Sequence, residues 1–217
     1  MTTGSARTLG AVVLCALFAV CAGTAPVAQA QSVMESSVTL YGGYRVGGEL
    51  TETITGSGAS LADASSYALA VDIGIEPQKQ VQLFYSRQKT ELTSGGFSLT
   101  VNKLPLTMEY YHIGGTYFWE PASRGTGGYV VGGIGATVAR PDFAGLSSET
   151  KPSINIGFGF MLPLGNSLGL RFEARGYATL LNNDGGFFCG SNTGCVVSIS
   201  GTALYQGEAL VGLSGRF

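Results

Sequence analysis

The chain has little charge and almost no histidine. Asp, Glu, Lys and Arg together make up 12% of its 217 residues, against roughly 25% in an ordinary soluble domain. The charges that remain, 12 basic and 14 acidic, form no basic block. A nucleic-acid partner and a cationic membrane-surface helix are therefore excluded. His112 is the single histidine, and no His/Cys cluster with ligand spacing accompanies it, so neither a metal site nor a cofactor site is expected. Past residue 30, no apolar run approaches the roughly 18 residues of a spanning helix, which excludes a helical membrane protein.

What is present begins with a secretory signal over residues 1–30. Arg7 and the amino terminus supply its positive start, residues 9–22 its apolar core, and Ala28-Gln29-Ala30 a small-x-small cleavage site. Cutting between Ala30 and Gln31 leaves residues 31–217 as one domain with a net charge near −3, since Arg7 is the one charge removed. An acylated-cysteine signal at Cys21 is disfavoured by the bulky Val20 before it. Cys15 and Cys21 leave with the signal. Cys189 and Cys195 remain, flanking Gly190-Ser191-Asn192-Thr193-Gly194, and an exported chain meets an oxidising compartment, so a local disulfide is expected.

The mature sequence repeats a period-two alternation over roughly ten residues, bounded by turn residues. Eight such segments are readable: 37–49, 66–75, 81–91, 106–119, 129–139, 154–162, 168–180 and 207–217. In the sixth, Ile154, Ile156, Phe158, Phe160 and Leu162 oppose Asn155, Gly157, Gly159 and Met161. In the last, Ala209, Val211, Leu213 and Phe217 oppose Glu208, Ser214 and Arg216. Connections alternate in length: 77–80, 120–127 and 163–167 are short, whereas 51–64, 92–105, 140–152 and 181–197 are long. In hydrocarbon an unpaired backbone polar group costs several kcal/mol, so strands span only as a closed ring with apolar side chains outside. An all-β, eight-stranded, antiparallel up-and-down transmembrane barrel is therefore predicted. The third segment strains this pattern, because Val81, Leu83 and Tyr85 facing outward carries Arg87 and Lys89 outward too. Either a bulge switches the face or those cations lie at headgroup level. The fourth and fifth segments alternate too weakly for their faces to be assigned.

Four pieces, Val38-Thr39-Leu40-Tyr41-Gly42-Gly43-Tyr44, His112-Ile113-Gly114-Gly115-Thr116-Tyr117, Leu170-Arg171-Phe172-Glu173-Ala174-Arg175-Gly176-Tyr177 and the terminal 207–217, resemble the small outer-membrane barrels of the OmpA-like, OmpX-like and opacity-type family. The resemblance spans 37–217, without the second periplasmic domain of the OmpA pattern. It implies a bacterial outer-membrane protein with both termini periplasmic, monomeric, and in contact with outer-membrane lipid and lipopolysaccharide. It also implies that Val211, Leu213 and Phe217 form the C-terminal signal read by the barrel assembly machinery. The implied role is non-enzymatic: structural, or surface interaction with an extracellular ligand through the long loops. Nothing in those loops specifies the ligand. The alternatives are a narrow channel or transporter for small apolar or ionic solutes, by analogy with OmpW-like barrels, and a lipid-modifying enzyme.

Candidate polar residues gather on the inner faces. Arg45, Asp72, Arg171, Glu173, Arg175, Glu208 and Arg216 are expected to form a paired network in the lumen, because unpaired buried charge is costly. Eight strands leave an interior that side chains fill, which argues against a diffusion pore. His112 is the one general-base candidate. Lipid-A-trimming barrels carry a His-x-Ser element, whereas this chain reads His112-Ile113-Gly114, so no catalytic residue is assigned. Gly132-Gly133-Ile134-Gly135 lies in a strand pattern with no helix after it and is not a nucleotide loop.

Overall fold

The computed structural model describes residues 35–52, 58–94, 103–120, 126–143, 145–181, 186–190, 194–200 and 203–217. The signal segment and its cleavage point lie outside them. Eight long strands form the wall: β1 (Ser37–Gly47), β4 (Ala64–Glu76), β5 (Lys79–Ser94), β6 (Lys103–Phe118), β7 (Gly127–Pro141), β8 (Glu149–Pro163), β9 (Leu168–Leu180) and β12 (Ala203–Arg216). Each pairs antiparallel with its neighbours in the ring β1-β4-β5-β6-β7-β8-β9-β12. Closure comes from β1 on β12, running in register from Ser37↔Arg216 to Gly47↔Gln206. Every wall strand thus has two partners and no edge is left to lipid.

Four shorter strands, β2 (Glu49–Glu52), β3 (Gly58–Leu61), β10 (Gly186–Gly190) and β11 (Gly194–Ser200), lie in segments that the alternation alone marks as loops. The chain breaks after β1 at Gly47 and Gly48, whose φ of 86° and 111° suit glycine. It then resumes as the β2–β3 hairpin. Strand β3 docks on the far end of β5 through Ala59↔Ser94 and Leu61↔Leu92, and β2 pairs with β11 at Thr51↔Ser200. These pieces extend the wall beyond the long-loop rim. At the opposite rim lie the short turns and the chain end: Phe217 N–H donates to the Ser36 carbonyl at 3.0 Å, and Arg216 N–H to that of Ser167 at 2.7 Å.

The burial pattern inverts that of a soluble protein. Arg45 and Asp72 are 0% exposed, while Ile156 is 74%, Ile134 67% and Leu40 66% exposed. A sandwich with an oily core would show the reverse. All five of Ile154, Ile156, Phe158, Phe160 and Leu162 face outward, as do Val211, Leu213 and Phe217. Trp119 and Phe217 are exposed near the short-turn rim, and Tyr67 and Tyr205 toward the other, which gives an aromatic belt at each end.

The weakly alternating strands resolve as well. In β6, Leu104, Leu106, Met108, Tyr110 and His112 face inward. In β7, Tyr129, Val131, Thr137 and Ala139 do so. Between β5 and β6 the register runs without a shift from Lys79↔Tyr117 to Thr93↔Lys103. No bulge changes the face, and Arg87 and Lys89 remain on the outer wall.

Candidate functional site: the charged lumen

Three carboxylates organise the interior, each held by an arginine and by hydroxyl or amide donors from other strands. Asp72 on β4 accepts from Arg171 Nη1 at 2.7 Å, Gln82 Nε2 at 2.8 Å and Thr116 Oγ1 at 3.1 Å. Glu173 on β9 accepts from Arg175 Nε at 2.7 Å, Tyr129 at 2.9 Å and Tyr41 at 3.3 Å. Glu208 on β12 accepts from Arg45 Nη2 at 2.9 Å, from Ser86 at 3.1 Å and from the Tyr177 hydroxyl. All six charged side chains of these pairs are at most 1% exposed. Each desolvation cost is offset by one opposite charge and several directed donors, the arrangement a buried ion pair requires.

The pairs also reach across the barrel. Arg175 on β9 donates through Nη2 to Gln82 of β5 at 2.9 Å, with its guanidinium 3.6 Å from the Phe84 ring centre. Arg45 on β1 reaches Ser86 of β5 at 2.5 Å and lies 4.6 Å from the Tyr110 ring and 5.1 Å from the Tyr177 ring. Those two rings stack at 4.3 Å, so the guanidinium is clothed in π-faces where hydrogen-bond partners run out. Tyr110 in turn donates to Gln206 at 2.7 Å.

Two glycines make room for the convergence on Glu173. Tyr41 lies directly opposite Gly212, and Tyr129 directly opposite Gly159. A Cβ on either glycine would overlap the tyrosine ring. Both rings lean across the bare backbone, one from each side, and deliver their hydroxyls to the same Oε2. Glycine in these strands therefore has a packing purpose.

Apolar layers close the two ends. Phe118, Tyr129, Val131 and Met161 cluster near the short-turn rim. Toward the long-loop rim, Leu61, Leu92, Leu104, Leu106, Met108 and Leu204 belong to a larger buried cluster. This inward-facing cap was not visible as such in the alternation, because β3 and Leu181 contribute to it from segments read as loops.

Six of the seven polar residues expected in the lumen join the three centres. Arg216 stands apart at the short-turn rim. It pairs with Glu35 at 3.1 Å and donates to the Gly165 carbonyl at 2.7 Å, tying the segment before β1 to the β8–β9 turn. Burial raises the Glu35 carboxyl above its ordinary range, against the opposing pull of the Arg216 charge.

Of the helpers, Tyr41 and Tyr177 share the sequence parity of Arg45 and Arg171, whereas Ser86 and Tyr129 were not picked out, although inward parity on β5 and β7 marks them. Ser153 was missed too: His112 Nε2 lies 3.0 Å from its Oγ. The His–Ser pair absent from the local sequence is thus formed across strands. Nδ1 of the same ring has no hydrogen-bond partner, and both residues are buried in the lumen. Among the described residues no carboxylate bonds the ring to fix the tautomer that a general base needs.

Such an inverted barrel defines a class, and sequence comparison agrees. Residues 13–217 match the family described as outer membrane protein beta-barrel domain, and the chain belongs to that family. The fold is shared with Neisserial surface protein A at a TM-score of 0.57 and 14% identity, covering 84% of this chain and 97% of that one. The Pseudomonas aeruginosa outer membrane protein OprG gives 0.54 at 9% identity over 84% and 95%. The N-terminal barrel domain of Pseudomonas aeruginosa OprF gives 0.50 at 13% over 86% and 100%. At such identities the likeness is one of fold. No curated protein matches the chain.

Proposed function

We propose that this outer-membrane barrel is a non-enzymatic surface protein. In this reading the short-turn rim and both termini lie in the periplasm, and the long-loop rim with its β2–β3 and β10–β11 extensions faces outside. One observation carries the reading: Arg45 touches side chains of β5, β6, β9 and β12 at once, so the interior serves as a brace. A rigid wall that holds long loops clear of the membrane is a surface for contact. The runner-up, a narrow path for solutes, is favoured by the apolar cap alone and ends against the Arg45–Glu208 layer.

Reconstituted protein is expected to give no sustained conductance in a planar bilayer, and to leave the acyl chains of added lipid A intact. Reproducible conductance steps would establish the channel instead, and shortened lipid A would make His112, with Ser153, a catalytic candidate.

The display surface includes a clamp. Cys189 and Cys195 are register partners in the β10–β11 hairpin, and directly opposed antiparallel residues have Cα separations within the range a disulfide spans. A bond there would stabilise the hairpin by about 2 kcal/mol. Peptide mass spectrometry without reductant is expected to find the two cysteines joined; free thiols on correctly exported protein would refute the clamp.

A further inference from the structure

Seven of the eight pairings in the wall join consecutive wall strands, so a connecting segment helps to set each register. The eighth, β1 on β12, has no connecting segment. Its strands lie at opposite ends of the described chain, and side chains alone can choose the alignment. A slip of one residue would turn every outward side chain into the lumen. A slip of two keeps the faces, so parity gives no protection against it.

The inward rows of this seam are matched one by one. Ser36 and Phe217 exchange both backbone bonds, at 3.2 Å and 3.0 Å. The alternate rows from Ser37↔Arg216 to Gly47↔Gln206 are therefore the non-hydrogen-bonded ones, where facing side chains come closest, and these rows point inward. Thr39 Oγ1 donates to Ser214 Oγ at 3.0 Å. Tyr41 covers Gly212, where a Cβ would overlap its ring. Leu210 covers Gly43 in the reverse sense, again filling the place of a Cβ. Arg45 meets Glu208 at 2.9 Å, and Gln206 Nε2 donates to the Gly47 carbonyl at 3.4 Å. Hydroxyl faces hydroxyl, a large side chain faces bare backbone from each strand in turn, and cation faces anion.

Neither slip of two preserves these matches. In one direction Tyr41 collides with Leu210 and Arg45 faces Gln206. In the other, Arg45 faces Leu210, and Gly43 faces Gly212 across a void. Both place Glu208 opposite a glycine, Gly43 or Gly47, and separate two buried charges, which is costly. A slip at the seam also changes the shear of the whole ring, and an interior packed with side chains has little room to adapt.

We propose that the inner face of the β1–β12 seam is a register key. The last strand accepts the first in one alignment, through the Arg45–Glu208 pair and the two opposed notches, and that choice fixes the shear and the lumen volume of the barrel.

Disulfide reporters in the full-length protein, isolated in outer membranes, read the alignment. Cys189→Ser and Cys195→Ser clear the background. Leu40→Cys is combined in turn with Leu213→Cys, its observed partner, or with Val211→Cys or Gly215→Cys, its partners after a slip of two either way. All four positions have outward parity and lie outside the key. In a fixed register only one combination can close, because positions two residues out of alignment lie beyond the roughly 7 Å that a disulfide spans. With the key intact, oxidation should give the 40–213 product alone. Tyr41→Ala, Arg45→Gln and Glu208→Gln together should bring slipped products to within about tenfold of the aligned one. Arg45→Gln with Glu208→Gln keeps the notches and guards against misfolding of the triple variant. Its slipped product should be the 40–215 one, because the other direction still drives Tyr41 into Leu210. Asp72→Asn with Arg171→Gln removes an equal charge pair from β4 and β9 and should leave the 40–213 product alone. That product alone in the triple variant, or in the double one should the triple not fold, would overturn the proposal. So would equal slipping in the Asp72 and Arg171 control, or folding lost in the key variants and the control alike.

Discussion

The inner and outer walls use the same side chains for opposite ends. Inside, Asp72, Glu173 and Glu208 each face one arginine, and the remaining carboxylate lone pairs accept from Gln82, Thr116, Ser86 or tyrosines. Outside, one carboxylate serves two arginines, whose side chains are 34% and 52% exposed. The inner set is matched charge for charge and is shielded from solvent, so it braces the barrel and has nothing spare for a ligand. The outer set is unmatched, and its two arginines are accessible around a nearly buried carboxylate. Charge matching separates the inner set from the outer one better than distance does, since both sets include contacts below 3 Å.

Breaking one pair on each wall tests that contrast. Asp72→Ala removes the carboxylate from a fully buried Arg171 and is expected to destabilise the barrel by about 3–5 kcal/mol. Replacing both partners, with Asp72→Leu and Arg171→Met, should cost far less, because no charge is then stranded. Urea midpoints in detergent, followed by the mobility of unheated protein on gels, give both values. An equal loss in the single and double variants would show that packing volume, rather than charge matching, holds this layer. On the outer wall Glu109→Ala should cost about 1 kcal/mol or less. A loss as large as that of Asp72→Ala would make the outer cluster a structural element and erase the distinction.

How much of this was legible in the sequence follows from which forces are local. Side-chain parity along a strand is local, so the outer faces of β4, β8, β9 and β12 and six of the lumen charges could be read directly. In β6 and β7 the signal failed for a physical reason. Leu106 and Met108 are apolar but face inward, into the cap, as does Tyr110 in the layer below it, while Glu109 and Thr107 take the outer parity yet are buried beside Arg87 and Arg140. Polarity and facing are therefore decoupled toward the long-loop rim. Contacts that depend on barrel closure were equally invisible. His112 meets Ser153 across 41 positions of chain and Arg45 meets Glu208 across 163, and only the ring of registers brings them together. Arg216, the one expected lumen charge outside the three centres, has the inward parity but lies at the last residue of β12, where its partner is Glu35.

That rim supplies the gentlest test of the comparison, since Glu35 and Arg216 form a pair of intermediate character. Burial of the Glu35 carboxyl outweighs the attraction of Arg216 and raises its pKa in the folded state. A carboxyl whose folded pKa lies above its unfolded value contributes stability at pH below the unfolded value, and that contribution is lost as pH rises through the folded value. Relative to Glu35→Gln, which does not titrate, the unaltered protein should therefore gain stability as pH falls from 7 through the carboxylate range. Urea midpoints of the two proteins at both ends of that window measure the difference, and the subtraction cancels the titration of every other group. A difference moving the other way would mean that Arg216 holds Glu35 ionised in the fold. The rim pair would then belong with the matched pairs of the lumen, and the boundary between brace and surface would lie one layer further out.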